Sequence, residues 1–293
     1  MIDLHTHSCA SDGELTPSKL IEKACLLGLK ALALTDHDTI SGVEEAEMAS
    51  KECGMCFIPG VELEIDTEPG NFLHPISGEF HLLGLGIYRR TEEFLSALEF
   101  QAGCREERNR EMVEKIRSAG IDIDYEEIAA FLKTDTQKKS PRIIARPHFG
   151  AFLISRKIVK NQEQAFKHWL GKGKPFYVPK KALEFKSAVK LIHGAGGKAV
   201  LAHPMSLYVS WGRLPGLLSQ FKENGLDGIE AWHPNTRVAD CKRLEELGRS
   251  LELIITAGSD FHGSARPERK LGYTAGGRAI GDEFIAQLPL SRH

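Results

Sequence analysis

Seven short apolar runs constrain the fold most. Each run has a histidine or an acidic residue at or near one end. The runs cover residues 2–5, 31–35, 57–63, 81–87, 198–202, 228–232 and 253–257. Continuous runs of Ile, Leu, Val and Ala of this length are typical of strands in a parallel sheet buried on both faces. Helical patterns between several runs predict an α/β fold of βα units with right-handed crossovers. Seven units favour a barrel, although the runs alone also permit an open sheet.

Five helices are predicted around these strands, at residues 16–27, 41–52, 183–193, 215–224 and 240–250. Thr16 and Pro17 form a helix start, and Gly28 and Gly54 are typical helix ends. Residues 92–175 interrupt the alternation with helical patterns at 92–119, 125–133, 141–155 and 161–170. We therefore expect a barrel domain of residues 1–91 and 176–293 that carries an inserted helical subdomain of residues 92–175.

The composition is that of an ordinary globular protein, with 42% hydrophobic and 27% charged residues and a net charge of −2. Residues 133–190, however, carry 15 Lys and Arg against three acidic residues. Such a segment is either a solvated face or a surface that attracts a phosphate ester or nucleic acid. The sequence shows neither an apolar run long enough for a membrane span nor a secretory signal, so we expect a cytoplasmic protein without a membrane or obligate protein partner. Cys53 and Cys56 are expected to be reduced thiols.

Nine metal-binding side chains fall at the ends of the predicted strands. In parallel α/β folds these ends meet at one edge, so the side chains are expected to converge. Nine ligands exceed the coordination of one ion, and mixed imidazole and carboxylate ligands favour two or three ions of Mn, Zn or Fe. Clustered ions lower the pKa of bound water and neutralise ester oxygens, which is the chemistry of phosphate ester hydrolysis. The nine are His5, His7, Asp12, His37, Glu62, His81, His203, Asp260 and His262.

The chain resembles the PHP (polymerase and histidinol phosphatase) family through five motifs in the expected order. They are Asp3-Leu4-His5-Thr6-His7-Ser8, Thr35-Asp36-His37-Asp38, Gly60-Val61-Glu62, Ala202-His203-Pro204 and Gly258-Ser259-Asp260-Phe261-His262. The resemblance implies a distorted (β/α)7 barrel with a trinuclear metal centre. Segments 145–149, 170–179 and 192–197 resemble the branch that contains nucleoside 3′,5′-bisphosphate phosphatases and a 5′–3′ exoribonuclease of short RNA.

The resemblance also implies how the ligands divide. One ion would be held by His5, His7, Glu62 and Asp260. Glu62 would bridge to a second ion held by His81 and His203, and the third would be held by Asp12, His37 and His262. The reach of His81 depends on the resemblance, because His81 begins its run instead of ending it.

Six further residues are expected to take part in catalysis or substrate binding. Asp36 would orient an imidazole, and His233 either contacts substrate or packs at the rim of the site. Arg146, assisted by His148, is expected to bind the phosphate that is not cleaved, because a guanidinium offers a bidentate fork to phosphate. Lys180 and Arg266 are weaker candidates for the same task.

These features predict a phosphoesterase that cleaves nucleotides by a metal-activated hydroxide. The substrate would be a nucleoside 3′,5′-bisphosphate or the 5′ end of a short RNA. Three alternatives stay open from the sequence. They are a phosphatase of the histidinol phosphate type, a metal-dependent amidohydrolase, and a non-catalytic module that binds nucleic acid.

Overall fold

A computed structural model describes residues 1–68, 72–133, 143–264 and 266–288. Seven strands form one sheet in chain order, and they confirm all seven predicted runs. The strands are β1 Ile2–Thr6, β2 Ala31–Leu34, β3 Cys56–Glu64, β4 His81–Leu85, β5 Lys198–Leu201, β6 Gly228–Trp232 and β7 Ile254–Ala257. Thr6 also forms a parallel bridge with Phe261 just after β7, and the His7 N–H donates to the Phe261 carbonyl at 3.0 Å. The sheet is therefore a nearly closed barrel, as predicted.

The direction of β4 departs from the parallel sheet that the apolar runs suggest. β4 pairs antiparallel with both β3 and β5, and His81 at its start lies opposite Glu64 at the end of β3. The amino end of β4 therefore lies at the edge where the neighbouring strands have their carboxyl ends.

Nine α-helices occur among the described residues, and most begin and end within two residues of the predicted boundaries. They are α1 Pro17–Leu26, α2 Val43–Cys53, α3 Glu92–Ser118, α4 Tyr125–Lys133, α5 Arg146–Ser155, α6 Gln162–Ala165, α7 Phe185–Gly194, α8 Leu214–Glu223 and α9 Val238–Ser250. The Thr16 hydroxyl accepts from the Lys19 N–H at 3.3 Å and caps α1, and Gly54 ends α2 with a φ of 69°.

Two predicted helices of the insertion differ from the observed ones. The helix expected at 141–155 begins at Arg146, and the part of it before residue 143 lies outside the described residues. The helix expected at 161–170 divides into α6 and a π-helical turn, Phe166–Leu170, that ends as the Gly171 N–H donates to the Phe166 carbonyl.

Two apolar cores are arranged along the long helix α3. The barrel core includes Phe94 and Leu98 from its first half, whereas Met112 and Ile116 from its second half pack with Phe149 in a separate helical core. α3 thus links the barrel to the helices that follow it.

No helix in the described part of the chain is both long and apolar enough to cross a membrane. Cys53 is bonded to Cys25 in a disulfide that joins α1 and α2, so the expectation of a reduced Cys53 thiol is wrong. Cys56 is a free thiol, as expected, and it is exposed.

Candidate metal centre

The strand ends surround a cavity of about 570 Å³ that is lined by seven of the nine predicted ligands. His5 and His7 complete the nine; both are fully buried and contact the acidic residues of the cavity. The strand-end side chains therefore converge at one place. The seven that line the cavity are Asp12, His37, Glu62, His81, His203, Asp260 and His262.

Glu62 lies at the middle of the cluster, where five imidazoles surround its carboxylate. Its Oε1 lies 2.9 Å from His81 Nδ1 and 3.0 Å from His203 Nε2. Its Oε2 lies 3.4, 3.3 and 3.0 Å from His5 Nε2, His7 Nε2 and His37 Nδ1. A carboxylate with imidazoles around both oxygens suits a ligand that bridges two cations.

Two aspartates flank Glu62. Asp260 Oδ1 lies 3.5 Å from His5 Nε2 and 3.3 Å from His7 Nε2. Asp12 Oδ1 lies 3.2 Å from His262 Nε2. These distances between ligand atoms, all under 4 Å, are those expected of side chains that point at shared ions.

Among the residues that the structure describes, three groups of ligand atoms lie close enough together to hold an ion. They are His7, Asp12, His37 and His262; His5, His7 and Asp260; and His37, Glu62 and His81. His7 and His37 each belong to two groups, whereas the predicted division placed each with a single ion. The geometry therefore supports a cluster of neighbouring sites with shared ligands.

Unpaired buried atoms show that this donor set fits metal ions. His7 Nδ1 and Glu62 Oε2 are buried and have no hydrogen-bond partner among the described residues. His5 Nε2 and His7 Nε2 lie only 3.1 Å apart. In a hydrogen bond between them, one nitrogen carries the proton and the other accepts it with its lone pair. A cation between them would use the lone pairs of both.

The charges of the cluster fit cations as well. Burial opposes ionisation of Glu62, but nearby His37, His81 and His5 hold its pKa well below the ordinary value. Burial likewise opposes protonation of His81, but Glu62 and Glu79 together raise its pKa to about 9. Without metal, Glu62 thus favours a protonated His81, and a metal ion bound there would take the place of that proton.

Comparisons with known proteins agree with this geometry. Residues 3–123 match the PHP domain. A 5′-3′ exoribonuclease of Haemophilus influenzae is 34% identical over 267 residues, which cover 89% of each chain. The chain belongs to the PHP family. A 3′,5′-nucleoside bisphosphate phosphatase of Chromobacterium violaceum is 33% identical over 93% of this chain and 91% of that protein.

A solved structure from Bifidobacterium adolescentis, provisionally described as a metal-dependent phosphoesterase, shares the whole fold. It superposes with a TM-score of 0.81 and 28% identity over 97% of this chain and 93% of that one. The barrel is therefore a PHP barrel, and the family supports binding of divalent metals at the cavity.

Two further buried carboxylates, those of Glu230 and Asp3, support the PHP centre. The sequence analysis did not predict this role for them. Glu230 Oε1 accepts a hydrogen bond from His5 Nδ1 at 3.0 Å, and its Oε2 accepts from the His203 N–H at 2.9 Å. Asp3 accepts from the Ser259 and Gly272 N–H groups, and burial raises its pKa to about 6. The signal was present, because both are acidic residues inside otherwise apolar strands.

Asp36 and His233, predicted as catalytic residues, lie in or next to the centre. Asp36 is buried and accepts from the Ser8 N–H and hydroxyl and from the Ser11 hydroxyl at 2.7 to 2.8 Å. It thus holds the loop that leads to Asp12, and its expected role in orienting an imidazole stays a prediction. His233 is buried with its Nε2 3.1 Å from Asp260 Oδ2, so it is not a residue of the outer rim.

Of the four predicted phosphate-binding residues, Arg146 and Arg266 line the cavity. Arg146 also pairs with Glu79 at 2.9 Å. The other two differ from expectation. His148 Nδ1 accepts from the Ala145 N–H at 2.9 Å and so caps α5. The Lys180 side chain is fully buried, with its Nζ 2.7 Å from Asp38 Oδ2 and 3.0 Å from Glu64 Oε2, because the carboxylates of Asp38, just after β2, and of Glu64, at the end of β3, draw it inward.

The cavity has further arginines that the sequence did not single out. Arg105 and Arg108 come from α3, while Arg237 and Arg269 come from loops around α9 and β7. Arg105 pairs with Asp38 and Arg269 with Asp260. In the described part of the chain, the arginines that line the cavity therefore come mainly from outside the basic segment 133–190.

Proposed function

We propose that this PHP protein hydrolyses phosphate esters of nucleotides, either a nucleoside 3′,5′-bisphosphate or the 5′ end of a short RNA. The observation that carries the proposal is the convergence of nine metal-binding side chains around Glu62 in a cavity that arginines also line. The cavity volume of about 570 Å³ lies in the usual range for small-molecule sites. The names of the exoribonuclease and the bisphosphate phosphatase relatives supply the substrate class.

The centre would hold two or three ions of Mn, Zn or Fe, with Glu62 as the shared ligand. Bound ions of this kind make hydroxide available near neutral pH and neutralise the oxygens of the ester under attack. The protein's part is to fix the ligands. Glu230 holds the His5 ring, and Asp36 holds the loop of Asp12.

Arg146 and Arg266 support the proposal that the cavity takes an anionic substrate. Both line it, and each offers donors to phosphate oxygens. The charge of Arg146 is partly offset by Glu79, whose side chain is more than half exposed. A phosphate that displaced Glu79 would take over that hydrogen bond.

The three alternative functions have less support. An amidohydrolase usually bridges its metals with a carboxylated lysine, but here Glu62 is the residue that would bridge the ions, and Lys180 is engaged by two carboxylates. The nucleotide-branch segments argue against histidinol phosphate. A non-catalytic module would have lost ligands, whereas all nine are present and converge.

Phosphate and nucleotide release tests the proposal. Purified protein with Mn²⁺ is given adenosine 3′,5′-bisphosphate, AMP, a short 5′-phosphorylated RNA and, as the amidohydrolase control, a dihydropyrimidine. We expect turnover of the bisphosphate or the RNA, its loss in chelator, and a loss of at least about 10³-fold in Glu62→Gln. Glu245→Gln, in α9 and outside the cavity lining, is the matched control. Turnover of the dihydropyrimidine alone, or of nothing, would reject the proposal.

A further inference from the structure

Arg269 lies in the loop after β7 and contacts the predicted metal ligand Asp260. It lines the cavity wall, and its exposed fraction is only 7%. Its Nη1 donates to Asp260 Oδ2 and, at 3.3 Å, to the backbone carbonyl of the same residue. One guanidinium therefore holds both the side chain and the main chain of Asp260. The proposed function gives Arg269 no task.

The two oxygens of the Asp260 carboxylate have different surroundings. Oδ1 lies 3.5 Å from His5 Nε2 and 3.3 Å from His7 Nε2, so it faces the ligand imidazoles. Oδ2 accepts from the guanidinium and lies 3.1 Å from His233 Nε2. Because His233 Nδ1 accepts from the Asn235 N–H at 3.2 Å, the neutral ring has its proton on Nε2 and donates it to Oδ2. Two donors thus occupy Oδ2, and Oδ1 is the oxygen left for an ion.

The backbone of Asp260 needs support as well. Its φ of 50° lies in the left-handed region, which is unfavourable for most residues other than Gly. Its carbonyl accepts from Arg269 and, at 2.8 Å, from His262 Nδ1. That second bond leaves His262 Nε2, 3.2 Å from Asp12 Oδ1, to face the ions. The conformation of Asp260 therefore sets the direction of two predicted ligands, its own carboxylate and the His262 imidazole.

We propose that Arg269 is a positioning residue that presents Asp260 to the divalent ions through Oδ1 alone. The proposal rests on the part of the proposed function that places these ions at the cluster. Two effects of Arg269 on metal affinity oppose each other, because its charge repels cations while its hydrogen bonds fix the ligand atoms. The charge is compensated by direct contact with a carboxylate, so the hydrogen bonds decide the affinity.

Metal titration without substrate tests the positioning role. Calorimetry measures the Kd for Mn²⁺ of the wild type, Arg269→Gln and Arg269→Lys. In Arg269→Gln the Kd should rise about 10- to 100-fold, the usual loss when a group that orients a metal ligand is removed. Arg269→Lys keeps a charged donor and should recover part of this loss. If repulsion between Arg269 and the ions dominated, the Kd of Arg269→Gln would fall instead, and that result would overturn the proposal.

Kinetics separate positioning of Asp260 from direct binding of substrate. Arg269→Gln should lose turnover at limiting Mn²⁺ and recover most of kcat at saturating Mn²⁺, with the KM for the phosphate ester within about twofold of the wild type. A KM that stays raised at saturating Mn²⁺ would make Arg269 a substrate-binding residue and overturn the proposal. Lys270→Met is the matched control, because Lys270 is the exposed neighbour of Arg269 and lies outside the cavity lining. It should leave the Kd and the KM unchanged.

The remaining outcomes distinguish this proposal from the proposed function. Arg269→Met is measured if Arg269→Gln does not fold, and it should show the same rise in Kd. A lower Tm with an unchanged Kd for Mn²⁺ would give Arg269 a purely structural role and overturn the positioning role, while ester hydrolysis by the wild type would leave the proposed function standing. Wild-type protein that binds Mn²⁺ and needs Arg269 to do so, yet hydrolyses no ester, would refute the proposed function and keep the positioning role.

Discussion

Glu230→Gln is the most informative change to the metal centre outside the ligands themselves. The carboxylate of Glu230 accepts two hydrogen bonds, from His5 Nδ1 at 3.0 Å and from the His203 N–H at 2.9 Å. An amide of the same shape has one acceptor and one donor. If its oxygen faces the His203 N–H, its NH₂ faces His5 Nδ1, so the proton of His5 must move to Nε2.

That proton would point at the atoms that the ion needs. His5 Nε2 lies 3.4 Å from Glu62 Oε2 and 3.5 Å from Asp260 Oδ1. Changing a group that orients a metal-bound histidine typically costs 10- to 100-fold in affinity, or about 1.4 to 2.8 kcal/mol. We expect the apparent Kd for Mn²⁺ to rise by this factor, with most of kcat recovered at saturating metal.

Calorimetric titration with Mn²⁺ and the Mn²⁺ dependence of turnover measure this effect. Glu245→Gln is the control, because Glu245 also accepts a buried donor, Trp232 Nε1 at 2.7 Å, but does not line the cavity. The Kd of the control should stay within twofold of the wild type. A Glu230→Gln Kd within twofold of the wild type would refute the reasoning, because the His5 tautomer would then not depend on Glu230.

Three further outcomes are expected. Lys180→Met should lower the free energy of unfolding in urea by about 3 to 5 kcal/mol because it leaves the buried Asp38 carboxylate with one cation fewer, whereas exposed Lys181→Met should change it by less than about 0.5 kcal/mol. His148→Ala should cost about 1 kcal/mol of stability as a lost helix cap and leave kcat/KM within twofold; a large loss of kcat/KM would return His148 to the substrate site. Chelator should lower the Tm and Mn²⁺ restore it, because metal binds the folded state; an unchanged Tm would count against binding at the cluster.

The strands and the convergence of the candidate ligands were predictable from the sequence, but the direction of β4 was not. An apolar strand that is buried on both faces has the same sequence pattern in either direction. The run at 81–87 therefore contained no information on the direction of the strand. One signal did exist. His81 begins its run, while the other ligands lie near the carboxyl ends of theirs or beyond them, and a ligand at the first residue is expected when a strand enters the sheet from the opposite end.

The substrate residues were predicted less well, because the sequence shows charge but not the partner of that charge. Lys180 lies in a basic segment and reads as free, yet its partner Asp38 is 142 residues away in the chain. His148 likewise reads as a functional imidazole, although the neighbouring backbone of Ala145 uses its acceptor. Pairing of this kind depends on tertiary contacts that no local pattern encodes.

The sequence analysis did not single out the arginines of α3, although the spacing of the buried residues on this helix indicates their position. Residues 94, 98, 101, 105, 108 and 112 follow one another at alternating spacings of four and three, which places them on one face of the helix. That buried face is apolar at both ends, where it packs on the barrel core and on the helical core, and polar in the middle at Gln101, Arg105 and Arg108. A buried helix stripe needs polar residues only where it meets something polar, and here that is the cavity for Arg105 and Arg108 and the adjoining Asp38 carboxylate for Gln101. Polar residues in the middle of an apolar stripe therefore mark the wall of a binding site, even on a helix whose overall composition is that of a solvated one.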